Sequence, residues 1–262
     1  VTDRQSRKTI FITGAAAGIG LQTALLFARE GWYVGACDLD AQGLRALEAQ
    51  IGRANGVFLQ LDVSDPAAFE AAIATFAEAS GKRLDLLFNN AGTGVGGYFE
   101  EVAWEELARV IHVNLMGVML GIRAALPLLR ATPGSLCLTT SSSSSIFGTA
   151  GIAVYSATKH AVRGLTEALS IEFKRYGVRA ADLIPGLIDT AILPERMRAL
   201  APSDGMWRIV PPAEVARAVW TAYHSDQLHW YVPAELKEFD LQATSHPEVV
   251  RDERAKLPLL VS

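Results

Sequence analysis

The sequence is short of cysteine, short of excess charge of either sign, and without a long uncharged apolar run. Its two cysteines, Cys37 and Cys137, each stand inside an apolar, strand-like stretch, so buried free thiols in a reducing compartment are expected rather than a disulfide. Lys and Arg total 24 against 28 Asp and Glu, a formal net charge of −4, and the basic residues are scattered in twos and threes. That excludes the concentrated positive face a nucleic-acid binder needs. No run reaches the roughly 18 uncharged apolar residues of a membrane span, and the most tempting one, Val113 to Ile122, stops at Arg123. Val1 to Lys8 lacks the apolar core of a signal peptide. Apart from the serines Ser141 to Ser145, no low-complexity segment, linker or internal repeat breaks the chain. The expected setting is the cytoplasm, with no nucleic-acid, membrane or metal partner.

What is present is an alternation. Thr9 to Thr13 is a short β-rich run that leads directly into Gly14-Ala-Ala-Ala-Gly18-Ile19-Gly20. Leu21, Ala24, Leu25 and Ala28 then recur at helical spacing up to Gly31. Strand, glycine-rich turn and helix form the context of a phosphate-binding loop, where small residues let a pyrophosphate approach the backbone and rest on the helix N-terminus. A glycine-rich turn without a ligand is the plain alternative. Tyr33 to Asp38 is a second strand ending in an acid, 24 residues past Gly14, near where an acid grips the adenosine ribose of NAD. Asp38 would repel the 2′-phosphate of NADP, and no arginine follows the strand until Arg45, so NAD is preferred. The alternative is that Asp38 merely caps the next helix.

Ala41 to Gln50 reads as a helix and Val57 to Leu61 as the third strand, followed by Asp62 and Val63. Ser64-Asp65-Pro66 opens a helix whose core side is Phe69, Ile73 and Phe76. Leu84 to Phe88, Leu136 to Thr140 and Val178 to Ile184 are the fourth to sixth strands, and Trp230 to Val232 is a seventh, at an edge. Trp104, Leu107, Ile111, Leu115, Val118 and Ile122 make the apolar stripe of a long helix. Asn114 falls within the stripe, and a buried amide there must find partners through a kink or a core hydrogen bond. Strand-helix alternation over most of 262 residues predicts one α/β domain, a doubly wound parallel sheet of order 3-2-1-4-5-6-7 with helices on both faces. The last thirty residues show no pattern.

The chemistry is carried by Tyr155 and Lys159. Four residues apart on a helix, their side chains share a face. A free phenol, with a pKa of about 10, is too weak a base at neutral pH, and a neighbouring ammonium stabilises the phenolate. The spacing alone is weak; its weight comes from the serine run before it and from Asn89-Asn90-Ala91-Gly92 at the end of a strand, where open α/β sheets bind ligands.

Thr13-Gly14-x-x-x-Gly18-Ile19-Gly20, Asp62, Asn89-Asn90-Ala91-Gly92, Asn114, a serine thirteen residues before Tyr155, Tyr155-x-x-x-Lys159 and Pro185-Gly186 occur in this order. The set resembles the short-chain dehydrogenase/reductase family, in its single-domain, Rossmann-type branch, over about two thirds of the chain. The resemblance implies that Gly14, Gly18, Ile19 and Gly20 hold a pyrophosphate, Asp38 the adenosine ribose, and Asp62 and Val63 the adenine. Asn90, Ala91 and Gly92 would line the cofactor cleft, and Pro185, Gly186, Ile188 and Thr190 the nicotinamide end. Tyr155 would be the acid/base, and Lys159 would hold the nicotinamide ribose while lowering the phenol pKa. Ser142 would bind the substrate oxygen, with Ser141 and Ser143 as alternatives in the same run, and Asn114 would keep a water in a proton relay. The Thr-Gly and Asp-Gly-Gly that close many members are missing, and His229-Trp-Tyr-Val-Pro233 stands in that region.

The implied reaction is reversible hydride transfer between a secondary alcohol and NAD. A lyase or epimerase on the same fold and a silent NAD sensor are the rival readings. The resemblance also implies a homodimer or homotetramer through the two long helices that contain Asn114 and Tyr155. Leu193, Met197, Leu200, Met206 and Trp207 are apolar but interrupted by Pro194, Pro202 and Gly205. This pattern suggests a substrate lid around 190–210, the alternative being a surface helix packed on the sheet. Arg196, Arg198 and Arg208 are the only cations of that segment, so a bulky hydrophobic alcohol or ketone is expected over a sugar or hydroxy acid.

Overall fold

Strand β1, Thr9–Thr13, is buried along its whole length, and its alternating side chains divide the core. Ile10 and Ile12 enter one apolar cluster and Phe11 the other, as the two-residue period of a strand requires. The computed structural model describes residues 7–256, so most of the opening stretch read for a leader, residues 1–6, lies outside the described residues.

Around β1 run β2 (Tyr33–Asp38), β3 (Gly56–Gln60), β4 (Leu86–Asn89), β5 (Leu136–Thr140), β6 (Arg179–Pro185) and, at the far edge, β9 (His229–Val232). All their pairings are parallel, and the order is β3-β2-β1-β4-β5-β6-β9. The expected doubly wound order is thus realised, with β9 as its seventh member. It is ninth in the chain because two two-residue strands, β7 (Leu187–Ile188) and β8 (Ile209–Val210), pair separately. Helices α1 (Gly18–Arg29), α2 (Ala41–Ile51) and α8 (Pro212–Tyr223) cover the Ile10 face. Helices α3 (Pro66–Ala79), α5 (Gly117–Ala131) and α6 (Ala153–Glu172) cover the Phe11 face, and α4 (Trp104–Ile111) packs against α6. Buried Phe69, Ile73 and Phe76 seat α3, which Asp65 caps by accepting from the N–H groups of Ala67 and Ala68.

The long apolar stripe needs correcting. Leu107, Val118 and Ile122 are buried, but Trp104 and Ile111 are exposed, and Val110 takes the inward place. Between α4 and α5 the chain makes a π-turn, His112–Met116, and the extra residue rotates the two halves of the stripe out of register. The continuous run Trp104–Ala131 has the length and mean hydropathy, 1.5, of a membrane span, yet its inward side is core to this sheet. The patternless C-terminal region forms α9 (Leu236–Ser245) and α10 (Pro247–Arg254). They close a third apolar cluster of Ile146, Ile184, Leu236, Phe239 and Val250, against which Met206 and Trp207 pack. The short helix of the 190–210 segment is α7, Glu195–Leu200.

Candidate active site

The carboxyl ends of β1, β2, β4, β5 and β6 open into one cavity of about 1920 Å³. The turn after β1 forms its floor. Gly14 and Gly18 have φ of +68° and +53°, a left-handed region that L side chains avoid. Gly20 serves a different need: a Cβ there would lie 2.0 Å from the Gly14 carbonyl oxygen. It sits behind the turn and does not line the cavity, whereas Gly14, Gly18 and Ile19 do. Helix α1 has Ala17 at its N-cap position and no side-chain cap, leaving its first N–H groups for an anion.

The turn is braced from β4. The Asn90 amide donates to the carbonyls of Thr13 and Gly14, each at 3.2 Å. The Thr13 hydroxyl accepts from the N–H groups of Asn90 and Ala91, each at 3.0 Å. Thr140 at the end of β5 donates to Asn90 Oδ1 at 3.2 Å. The Asn90 side chain is therefore a strut, although the residue also lines the cavity with Ala91 and Gly92. Asp38 closes the adjoining end, its two oxygens accepting from the N–H groups of Ala16 at 2.9 Å and Asp40 at 3.0 Å. Next to it, Asp62 accepts from the N–H and hydroxyl of Ser64, and these bonds hold its carboxyl below the usual range. Asp38, Asp62 and Val63 all reach the cavity, as do Pro185, Gly186, Ile188 and Thr190 at the opposite end.

Between these ends, β5 delivers the serine run and α6 delivers Tyr155 and Lys159. Ser141 donates to Ser145 Oγ at 2.9 Å and to the Lys159 carbonyl at 3.1 Å, and Ser145 donates to the Ser142 carbonyl at 2.6 Å. Those two serines tie the run to itself and to α6. Ser142 accepts from the Ser144 N–H at 3.1 Å and is the serine whose hydroxyl acts on the Tyr155 phenol. Burial pushes that phenol up, and Ser142 pulls it back. Lys159 is buried, with Nζ 5.6 Å from the Tyr155 ring centroid and donating to the Thr140 carbonyl at 2.8 Å. Burial lowers its pKa to about 8.

Asn114 stands at the π-turn, outside the cavity lining. Its Oδ1 accepts from the Thr93 N–H at 2.8 Å, and its Nδ2 donates to the Thr93 carbonyl at 2.9 Å and to Thr158 Oγ1 at 3.4 Å. Its side chain thus fixes the loop after β4 against α6.

Residues 8–200 match the family model described as short chain dehydrogenase. The chain belongs to that family. Among known members of the short-chain dehydrogenases, it is 36% identical over 222 residues to the 2,5-dichloro-2,5-cyclohexadiene-1,4-diol dehydrogenase of Sphingobium indicum, covering 82% of this chain and 88% of the relative. It is 33% identical over 224 residues to the cyclopentanol dehydrogenase of Comamonas testosteroni, covering 82% and 89%. A solved short chain dehydrogenase/reductase of Burkholderia phymatum, in complex with NAD, superposes with a TM-score of 0.82 at 26% identity, over 95% of this chain and 96% of that one.

This short-chain dehydrogenase also has cavity residues that the sequence did not suggest. Thr93 and Arg109, joined by a 2.7 Å hydrogen bond, line one wall. Phe239, Gln242, Val250, Glu253 and Arg254 reach in from α9 and α10. Thr13, adjacent to the glycine motif, was visible in the sequence but carried no sign of its bracing role.

Proposed function

We propose that this short-chain dehydrogenase transfers hydride reversibly between a hydrophobic secondary alcohol, alicyclic or aromatic, and its ketone, using NAD. The observation that carries this reading is the meeting of Ser142, Tyr155 and Lys159 in the same cavity as the glycine turn and Asp38. The cyclic alcohols in the names of the two relatives point the same way. NAD, when bound, supplies the hydride acceptor. The uncapped N-terminus of α1 with Gly14, Gly18 and Ile19 suits its diphosphate, with Gly20 keeping the turn tight. Asp38 retains lone pairs for the adenosine ribose hydroxyls, and its charge disfavours a 2′-phosphate. Asp62 and Val63 would flank the adenine, Asn90, Ala91 and Gly92 the middle of the cleft, and Pro185, Gly186, Ile188 and Thr190 the nicotinamide end.

Tyr155 takes the carbinol proton, while Ser142 donates to the substrate oxygen and so stabilises developing charge there. Lys159 spends one of its three N–H donors on Thr140 and keeps two for the ribose beside the phenol. Its charge favours the phenolate. Asn114, through Thr93 and Thr158, is a positioning residue of this centre. The chain would act as one domain, with the 190–210 segment closing as a lid and Met197, Leu200 and Trp207 as its apolar lining. A reducing, cytoplasmic setting goes with two free, buried thiols.

The test is a panel of secondary alcohols with NAD+ and NADP+, read by nicotinamide absorbance. Stoichiometric NADH release from hydrophobic cyclic alcohols is expected, with kcat/KM for NAD+ at least about tenfold above NADP+. No NADH from any alcohol would overturn the redox reading in favour of a lyase, epimerase or sensor. Equal use of the two cofactors would overturn the role of Asp38, and Asp38→Ala should narrow the gap.

A further inference from the structure

The substrate wall contributed by α9 and α10 contains one cation in an unusual state. The Arg254 guanidinium carbon lies 5.0 Å from the Trp207 ring centroid and 4.8 Å from that of Phe239. The two rings meet edge to face at 5.3 Å. Arg254 is half-buried and lines the cavity, yet none of its N–H groups has a hydrogen-bond or carboxylate partner among the described residues. Two arginines of the 190–210 segment are differently placed: Arg198 pairs with Asp189, and Arg208 pairs with Glu235 at 2.8 Å. Glu253 also reaches the cavity, but it is exposed and forms no ion pair with Arg254 among the described residues.

We infer that Arg254 is a specificity residue that receives an anionic group, a carboxylate borne by the apolar ring of the substrate on the side away from its carbinol. An arginine carries five N–H donors in one plane, and aromatic rings engage its charge without using them. A planar donor fork held by aromatic walls matches a carboxylate in two parallel hydrogen bonds. The apolar lining from Trp207, Phe239 and Val250 takes the ring that carries it. Burial also lowers the Arg254 pKa, the sign of a charge that has lost water without gaining a counter-charge. The preference for a hydrophobic alcohol over a hydroxy acid rested on the cations of residues 190–210; Arg254 arrives from the C-terminal helix, and it keeps the hydrophobic ring while adding a carboxylate to its far side. The inference rests on the alcohol-oxidising reading and narrows its substrate class.

The test compares hydroxycyclohexanecarboxylates, with the hydroxyl at ring position 3 or 4, with their methyl esters as substrates, in wild type, Arg254→Leu and Arg254→Lys. In wild type one carboxylate should exceed its ester in kcat/KM by at least about tenfold. Arg254→Leu should collapse that ratio at least about tenfold, mainly through KM, and Arg254→Lys should keep part of it. A wild-type ratio of one or less, or a ratio that Arg254→Leu leaves in place, would make the stack merely structural and overturn the inference. Calorimetric titration of cyclohexanecarboxylate, which has no carbinol, separates the two readings. Binding that Arg254→Leu weakens at least about tenfold supports the anion site even if no alcohol is oxidised. If neutral alcohols are oxidised while neither the ratio nor this binding responds to Arg254, the inference alone fails.

Discussion

Burial acts on Tyr155 and Lys159 in opposite directions, raising the phenol and lowering the ammonium to about 8. Both shifts favour the neutral forms, so alcohol oxidation depends on whatever offsets them. Oxidation uses the phenolate, so its kcat/KM should rise with pH through the phenol titration, while ketone reduction, which uses the protonated phenol, should fall. Once formed, the phenolate and the ammonium stabilise each other against these shifts, so Lys159→Met should move the rising limb to higher pH. A limb that stayed in place would show that the ammonium does not act on Tyr155. Tyr155→Phe removes only the hydroxyl. It should cost at least about 10²-fold in turnover while NAD affinity, read by calorimetry, stays within a few-fold of wild type. Retention of more than about a tenth of the rate would remove Tyr155 from the acid/base role. Residues of this kind were legible because their spacing is fixed by a helix and by a count along the chain. Arg254 was not legible, since nothing local relates it to Trp207 and Phe239; only the folding of α10 onto the third apolar cluster brings them together.

Elements declare themselves in the sequence where one periodicity runs unbroken. Leu136–Thr140 is the strand its β-rich run suggests, and the glycine turn lies where strand gives way to helix. The α4–α5 run did not fit one period, because the π-turn at His112–Met116 adds a residue and turns Trp104 and Ile111 outward. Asn114 was the visible sign of it, a polar residue in an apolar stripe, but a sequence does not say which way a helix yields. Helix α10 was invisible for another reason: Val250 is its only buried residue, too little for a pattern. The glycine turn lends itself to a test at this scale. A Cβ on Gly20 would meet the Gly14 carbonyl oxygen at 2.0 Å and its carbon at 2.7 Å, both backbone atoms that move only by opening the turn. Gly20→Ala should therefore lose at least about tenfold in NAD affinity and about 1–3 kcal/mol in stability, read by titration and by denaturant melts. Wild-type affinity in that variant would show that the tight turn is not needed for the cofactor.

At the scale of the whole molecule, we propose that the apolar surface left over is where a second copy of the chain packs. Only 39% of the most apolar window in the Trp104–Ala131 run is buried, because only one side of a helix that lies on a sheet faces the core. Trp104, Ile111 and Met116 are 71%, 36% and 41% exposed, and Ile171 on α6 is 72% exposed. Large apolar side chains exposed on the two long helices suit an association surface where they adjoin one another. A closed two-fold arrangement would bring each of these helices against its own copy. Burying such side chains stabilises by roughly 1.5–3 kcal/mol each in the limit of full burial, and the entropy of association offsets part of that gain. The same helices carry Asn114, Tyr155 and Lys159, so their pairing would also hold the catalytic face of α6 against the loop fixed by Thr93. Sedimentation at micromolar concentration should show a homodimer or homotetramer. The double variant Trp104→Glu, Ile171→Glu should sediment as a monomer, because two buried carboxylates per chain would face their copies without counter-charges. That monomer should also turn over more slowly, as the loop after β4 loses its support. A wild-type monomer under those conditions, or an oligomer indifferent to both charges, would mean that this face has another occupant.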